Sequence, residues 1–185
     1  MSAQPVVSVF GGSIPEPGSA HYEQAQRLGK LLAQAGYITA TGGYTGVMEA
    51  VSRGANEAGG HVIGVTCDRI EQTYDRRKNR WVIEQVHYKT LGERLRHLVE
   101  QCDAAIAMPG GTGTLSEVAY TWSLIQTGEI DPKPLVVVGE RWRATIASFL
   151  NETDGYINDK DRALIQLARD VDEAVKKMSI LQITM

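Results

Sequence analysis

Short apolar runs alternate along this chain with longer segments of helical periodicity, and this alternation constrains the fold more than any other feature. The runs 6–10 and 104–108 are almost wholly apolar. Strands of about five residues that alternate with helices of about ten or more are typical of βαβ units and a parallel sheet. Strands that are apolar throughout require helices on both faces. The sequence therefore predicts an α/β fold: a Rossmann-like, doubly wound parallel sheet in three layers.

The same patterning gives the order of the elements. The expected strands are 6–10, 37–41, 61–65, 81–86, 104–108, 135–138 and 164–167. The expected helices are 19–35, 46–58, 90–101, 114–126, 142–150 and 170–178. The polar segment 67–80 is expected to be irregular. No repeat or linker interrupts the pattern, so we predict one nucleotide-binding domain over 1–185.

Composition excludes several classes of protein. The chain carries 19 basic and 22 acidic side chains, a net charge of −3, and so lacks the basic excess of a nucleic-acid-binding protein. It has no apolar run of about 18 residues, which argues against a membrane span. Cys67 and Cys102 and the four histidines show no metal spacing. We therefore expect a cytoplasmic protein with reduced thiols, no metal and no cofactor.

Three glycine-rich turns follow predicted strands, at 11–13, 42–46 and 109–113. Open parallel sheets bind ligands beyond the carboxyl ends of their strands. Each turn leads into or towards a helix, whose first N–H groups attract phosphate. One such turn means little, because every strand-to-helix connection needs turn residues. Three together predict a phosphate-containing ligand.

The sequences of these turns restrict the class of ligand that they could bind. No G-x-G-x-x-G sequence follows the first strand, and no Walker sequence is present. The second strand ends in Gly42 and Gly43, where an NAD-binding protein would place an acid for the ribose. A mononucleotide therefore fits the sequence better than NAD or ATP.

Glu117 and Arg94 are the candidate charged residues of the site. Glu117 could simply close a capping box with Thr114, or it could lie beside a bound phosphate and engage ribose hydroxyls or a cation. Thr121, one turn further on, could extend that polar patch. Arg94 could belong to a solvated helix face with local ion pairs, or it could supply the cation, since its guanidinium suits phosphate and carboxylate.

These residues also match a known family. The segment Pro109-Gly110-Gly111-Thr112-Gly113-Thr114-Leu115-Ser116-Glu117 fits the pattern PGGxGTxxE in full, and Gly42-Gly43-Tyr44-Thr45-Gly46-Val47-Met48 is similar to a second glycine-rich motif. Over roughly residues 6–138 the chain resembles the LOG family, whose described members are cytokinin riboside monophosphate phosphoribohydrolases. It also resembles the wider set often labelled lysine decarboxylase-like.

The resemblance implies that Arg94 and Glu117 are the catalytic pair of a phosphoribohydrolase. This enzyme would cleave a nucleoside 5′-monophosphate to free base and ribose 5-phosphate. It also implies a homodimer with the site near the subunit interface. The candidate substrate-binding residues are Gly11, Ser13, Gly42, Gly43, Gly46, Met48, Pro109, Gly110, Gly111, Thr112, Gly113, Thr114 and Thr121.

Two departures from the family pattern keep other functions open. The family usually has lysine after the arginine and glycine after the second motif, whereas this chain has Leu95 and Glu49. One alternative is a carrier of the same fold that binds a nucleotide or the molybdenum cofactor without hydrolysis. Another is a module that senses a nucleotide. A pyridoxal decarboxylase has little support, because Lys30, Lys78 and Lys89 are all expected at the surface.

Overall fold

Strands and helices alternate through the computed structural model, which describes residues 4–151 and 155–178. The strands are β1 Val6–Phe10, β2 Ile38–Thr41, β3 Val62–Cys67, β4 Glu84–Tyr88, β5 Ala104–Ala107, β6 Leu135–Val138 and β7 Ile165–Ala168. The helices are α1 Ala20–Gln34, α2 Val47–Glu57, α3 Asp68–Tyr74, α4 Leu91–Glu100, α5 Thr112–Thr127, α6 Glu140–Asn151, α7 Asp159–Arg162 and α8 Val171–Met178.

The seven strands form one sheet in the order β4-β3-β2-β1-β5-β6-β7. Every pairing is parallel, including that of β1 with β5, where Val7 lies opposite Ala104. The chain runs outward from β1 in one direction and then returns to build the sheet outward from β5. The strand order therefore reverses between β1 and β5, and a crevice opens there at the carboxyl ends of the strands.

Helices cover both faces of the sheet, and each face has its own core. On one side α1, α2 and α8 bury residues such as Leu28, Val51 and Ala174 against the strands. On the other side α4, α5 and α6 bury residues such as Leu98 and Val118. The predicted doubly wound, three-layer α/β fold is confirmed.

Helix ends follow signals in the sequence. Ser19 caps α1 and accepts a hydrogen bond from the Tyr22 N–H, and Gly36 takes a φ of 82° just beyond the last turn. Thr90 and Glu93 form a capping box at the start of α4. This box fixes where α4 begins and hence which of its residues face the sheet.

The prediction of an irregular segment at 67–80 is confirmed for residues 75–80 and wrong for residues 67–74, since Cys67 ends β3. Residues 68–74 form α3, which has Asp68 and Glu71 in its first turn, where acidic side chains favour a helix. The strand predicted at 81–86 is displaced to 84–88, because Trp81 and Val82 belong to the preceding turn. Val82 packs closely on Gly64 of β3: a Cβ added to Gly64 would lie 2.7 Å from the methyl groups of Val82.

Smaller differences concern element ends. Helix α5 begins at Thr112, two residues earlier than predicted, and α7 has no counterpart among the predicted elements. Residues 1–3, 152–154 and 179–185 of the predicted domain lie outside the described residues. Within the described ranges, no helix has both the length and the apolar character needed to cross a bilayer.

Candidate active site

The three glycine loops predicted from the sequence meet in the crevice between β1 and β5. We call residues 11–13 the first loop, 42–46 the second loop and 109–113 the third loop. The Gly12 N–H donates to the Pro109 carbonyl at 3.1 Å, and the Val47 N–H donates to the Gly12 carbonyl at 2.8 Å. The Thr45 hydroxyl donates to the Ser13 carbonyl at 3.0 Å. The first loop therefore lies between the other two and ties them together.

Glycine is required where these loops touch. Gly46 has a φ of 72°, and a Cβ there would lie 2.6 Å from the Cα of Ser13. A Cβ on Gly110 would lie 2.9 Å from the Gly12 nitrogen. Close backbone approach of this kind is possible only without side chains. The three loops thus form one continuous backbone surface at the N-termini of helices α2 and α5.

Arg94 projects from α4 into this crevice and is only 6% exposed. Its Nε donates to the Val65 carbonyl at the end of β3 at 2.7 Å. Its guanidinium carbon lies 5.7 Å from the centre of the Tyr44 ring, and its Nη2 lies 3.9 Å from the sulfur of Met48. The alternative of a solvated helix face is therefore wrong for Arg94.

Gly42 makes room for this arginine. A Cβ at position 42 would overlap Nη2 of Arg94 and would lie 2.6 Å from the sulfur of Met48. The predicted residues Gly42, Met48 and Arg94 are thus brought together in one packed cluster. The second loop and α4, which are distant in sequence, are fitted to each other at this point.

Glu117 faces Arg94 from α5 and is 9% exposed. Its Oε1 lies 3.8 Å from Nη1 of Arg94, which is an ion pair but too long for a hydrogen bond. Helix α5 has Gly111 as its N-cap, so Glu117 lies in the second turn and the capping-box alternative is wrong. Within the described residues, no donor hydrogen-bonds to the Glu117 carboxylate. A largely buried carboxylate with free acceptor capacity therefore lies in the crevice.

The environment of Glu117 changes its chemistry. Burial raises the pKa of its carboxyl from 4.5 to about 7, although the nearby Arg94 guanidinium acts in the opposite direction. Burial disfavours the charged form, and an adjacent cation restores only part of the loss. Glu117 can therefore exchange a proton near neutral pH, as a group in acid–base catalysis must.

The other predicted site residues on α5 differ in how exposed they are. Thr112 and Gly113 are exposed at the start of α5, where a ligand could reach them. Thr114 is buried beneath the third loop. Thr121 is fully buried, and its hydroxyl donates to the Glu117 backbone carbonyl at 2.7 Å. The expectation that Thr121 extends the polar patch is therefore wrong, because its hydroxyl is bonded within the helix.

Sequence reasoning missed two residues of this region. Tyr44 was part of the quoted motif, but nothing in the sequence showed that its ring lies under Arg94 or that its hydroxyl donates to the Cys67 carbonyl. Asn79 was hidden in the segment expected to be irregular. It is buried and hydrogen-bonded to the second loop. The only feature of the sequence that sets Asn79 apart is that it is the one uncharged residue among the basic residues of 76–80.

The two departures from the family pattern, Glu49 and Leu95, directly follow Met48 and Arg94 in the sequence. Glu49 accepts a hydrogen bond from the Tyr22 hydroxyl at 3.2 Å, so it faces α1. Leu95 lines a surface cleft with Tyr88 and Tyr120. A separate cavity of about 240 Å³ adjoins the third loop and is walled by α6.

Metal binding and pyridoxal chemistry each depend on side chains of particular kinds. No group of three or more metal-ligating side chains is found in the described part of the chain. Lys30, Lys78 and Lys89 are exposed, as expected. A Schiff-base lysine would need burial to lower its pKa, so none of these three lysines has the environment that pyridoxal-dependent decarboxylation requires.

Comparison with known proteins identifies the relatives of this site. A family described as "Possible lysine decarboxylase" matches residues 48–178, which include Met48, Arg94, the third loop and Glu117. The chain belongs to this family, the LOG family.

Named relatives in the LOG family agree with the match. A protein of Oryza sativa subsp. japonica named "Probable cytokinin riboside 5'-monophosphate phosphoribohydrolase" is 32% identical over 178 residues, covering 93% of this chain and 71% of the relative. A cytokinin riboside 5′-monophosphate phosphoribohydrolase of Arabidopsis thaliana is 30% identical over 178 residues, covering 93% and 80%.

Solved structures share the fold at full length. The molybdenum cofactor binding protein of Rippkaea orientalis superposes with a TM-score of 0.76 at 25% identity, covering 100% of both chains. The molybdenum cofactor carrier protein of Chlamydomonas reinhardtii gives a TM-score of 0.72 at 25% identity, covering 98% of this chain and 99% of that one. This LOG-family chain is thus similar in sequence to proteins named as enzymes and similar in structure to proteins named as molybdenum cofactor binding or carrier proteins.

Proposed function

We propose that this protein hydrolyses the N-glycosidic bond of a nucleoside 5′-monophosphate of the purine or cytokinin type. The products are the free base and ribose 5-phosphate. The observation that carries the proposal is the buried Glu117 carboxylate, which lies 3.8 Å from Arg94 in the helix that follows the third loop. The names of the LOG-family relatives support the same reaction class.

Glu117 acts on the ribose. Departure of the base leaves positive charge on the sugar ring, as in other glycosyl transfers. A carboxylate beside the ring stabilises that charge and orients the attacking water. The low exposure of Glu117 strengthens this electrostatic effect, because little water is present to screen it. Its free acceptor capacity allows contact with the ribose hydroxyls.

Arg94 orients Glu117 and holds the substrate. Its Nε is fixed by the Val65 carbonyl, so the two terminal nitrogens project at a set angle. One of them faces Glu117, and the distance of 3.8 Å leaves both groups free to contact a third. The fixed geometry means that little reorganisation is needed when the substrate binds.

The loops hold the phosphate. Helices α2 and α5 begin at the second and third loops, and the first N–H groups of a helix have no partner within it. Their partial positive charge favours a phosphate dianion. The proposed donors are the backbone N–H groups of residues 44–46 and 110–114; the Gly43 N–H is already bonded to the Thr41 hydroxyl.

Release of adenine from AMP tests the proposal. We expect Glu117→Gln and Arg94→Ala to lower kcat by about 100-fold or more, because each removes a group that acts on the developing charge. Matched controls are Glu100→Gln and Arg96→Ala on the solvent side of α4, where the Arg96 side chain is 70% exposed. Equal rates for the wild type and the two site variants would reject the assignment.

A carrier function is the second candidate. The match to a molybdenum cofactor binding protein extends over the full length of both chains, and Glu49 and Leu95 depart from the hydrolase pattern. The phosphate of a pterin cofactor could use the same N–H donors. An intact ligand that remains bound through purification, together with no adenine release, would favour this candidate over hydrolysis.

We also propose that the protein is a cytoplasmic homodimer and that α5 forms its interface. Glu117, which faces inward, is the only charged residue of this 16-residue helix. Its exposed positions are Thr112, Gly113, Leu115, Ser116, Ala119, Ser123, Gln126 and Thr127. An exposed helix face without charge is typical of an interface core. The free thiols of Cys67 and Cys102 fit a reducing compartment.

The native mass tests the dimer. The chain has a mass of 20.2 kDa, so light scattering should give about twice that value for the wild type. Ala119→Arg on the exposed face of α5 should give the monomer mass, whereas Ala58→Arg at the end of α2 should not. A monomeric wild type would exclude the proposed interface.

A further inference from the structure

Asn79 joins the turn after α3 to the second loop. Its side chain amide donates to the Gly43 carbonyl at 3.0 Å and to the Tyr44 carbonyl at 2.9 Å. Its backbone N–H also donates to the Gly43 carbonyl, at 2.8 Å. The Asn79 carbonyl oxygen Oδ1 accepts from the Trp81 N–H at 3.1 Å. One buried side chain thus uses both ends of its amide.

These bonds fix the orientation of two peptide groups. Residues 43–45 contain only trans peptide bonds, in which the C=O and N–H of one unit point in opposite directions. The Gly43 and Tyr44 carbonyls point at Asn79. The N–H groups of Tyr44 and Thr45, which belong to the same peptide units, therefore point away from it.

The second loop also contacts the first loop, because the Thr45 hydroxyl donates to the Ser13 carbonyl. Since Asn79 engages the Gly43 and Tyr44 carbonyls, we infer that the Tyr44 and Thr45 N–H groups face the crevice. Within the described residues, no acceptor is bonded to the Tyr44 or Thr45 N–H. Successive N–H groups that point to one side form an anion-binding concavity, and here they precede the N-terminus of α2.

We propose that Asn79 is a positioning residue that aims the Tyr44 and Thr45 N–H groups at the substrate phosphate. The inference rests on the proposed function for the identity of the ligand. Because Gly43 has a φ of 76° and lacks a side chain, the loop is easily reoriented without an external restraint. Asn79, which is 9% exposed, provides that restraint.

Binding of AMP and ribose 5-phosphate, measured by calorimetry, tests the role of Asn79. Asn79→Asp replaces the donating amide with a carboxylate that repels the two carbonyls, and Asn79→Ala removes the donor without adding charge. We expect both variants to bind both ligands about 10- to 100-fold more weakly, which is the loss of one or two hydrogen bonds to a charged group. Adenosine, which lacks the phosphate, should be affected less than twofold.

Asn56→Ala is the matched control. The Asn56 side chain donates to the Trp81 carbonyl at 3.3 Å and so holds the same turn from α2, but it does not contact the second loop's carbonyls. We expect it to bind AMP within about twofold of the wild type. Thermal unfolding of all variants separates loss of fold from loss of binding.

The steady-state constants distinguish positioning from a general structural effect. A phosphate contact is made equally in the ground and transition states, so Asn79→Ala should raise KM for AMP and leave kcat within about threefold. Wild-type binding without adenine release would reject hydrolysis but leave the role of Asn79 measurable. Unchanged affinity in both Asn79 variants, equal weakening by Asn56→Ala, or no wild-type binding of either ligand would overturn the inference.

Discussion

The ionisation of Glu117 should make the stability of this protein depend on pH in a way that a single substitution removes. In the folded state the carboxyl keeps its proton until pH about 7, whereas in the unfolded chain it loses the proton near 4.5. Between these values the folded state binds more protons. Raising the pH through this window therefore favours unfolding.

The size of the effect follows from the two pKa values. The interval from 4.5 to about 7, at about 1.4 kcal/mol per pH unit, corresponds to roughly 3 kcal/mol of stability lost when Glu117 ionises. About 2.5 kcal/mol of this loss falls between pH 5 and pH 8. Glu117→Gln keeps the shape of the side chain and cannot ionise. The difference in unfolding free energy between wild type and variant should therefore change by about 2.5 kcal/mol across that range.

Urea unfolding of both proteins at pH 5 and pH 8 measures this difference. The four histidines and all surface carboxylates are common to both proteins, so their titration cancels in the comparison. A second readout is kcat/KM for AMP, which should rise with pH through about 7 because the ionised carboxylate is the active form. Stability curves that run parallel within about 1 kcal/mol would refute the reasoning, since burial would then impose no penalty on the charge.

Four other substitutions test the packing. Gly42→Ala should displace Arg94, lower the stability by about 1–3 kcal/mol and remove most of the activity. Gly92→Ala on α4 is the control: its added Cβ meets no atom within 4 Å, so it should raise the stability by up to about 1 kcal/mol. Chemical unfolding and AMP turnover measure both effects, and a fully active Gly42→Ala variant would contradict the proposed fit. Thr39→Val should stabilise by about 1 kcal/mol, because the buried Thr39 hydroxyl has no partner in the described residues. Thr41→Val should instead destabilise the protein in the same unfolding assay, because the Thr41 hydroxyl accepts from the Gly43 N–H at 3.1 Å. A less stable Thr39→Val would refute that argument.

The fold could be predicted from the sequence because its signals are local. Continuous apolar strands such as 104–108, the Ser19 cap and Gly36 each act within a few residues, and together they specify alternating elements. The prediction for the segment around α3 failed because its helix is short and charged. The position of this segment also depends on Asn79 and Val82, which contact residues distant in sequence.

The site was predicted in part. Arg94 and Glu117 were singled out through the family resemblance, since spacing alone left a solvated arginine and a capping glutamate as alternatives. What decided between those alternatives was burial, which depends on the packing of α4 over β3 and of α5 over β1 and β6. Thr121 was misjudged because a sequence gives the face of a helix but does not show that a hydroxyl is already bonded to the backbone.

The pairing of β1 with β5 has a consequence for folding. Val7 lies opposite Ala104, so the crevice closes only after strands nearly a hundred residues apart have joined, a step that loop-closure entropy makes slow. No half of the chain contains all three loops, so a nascent chain that has not yet produced β5 lacks the third loop. A nucleotide that binds as proposed would therefore stabilise the finished fold alone, and would favour completed molecules over partly folded ones.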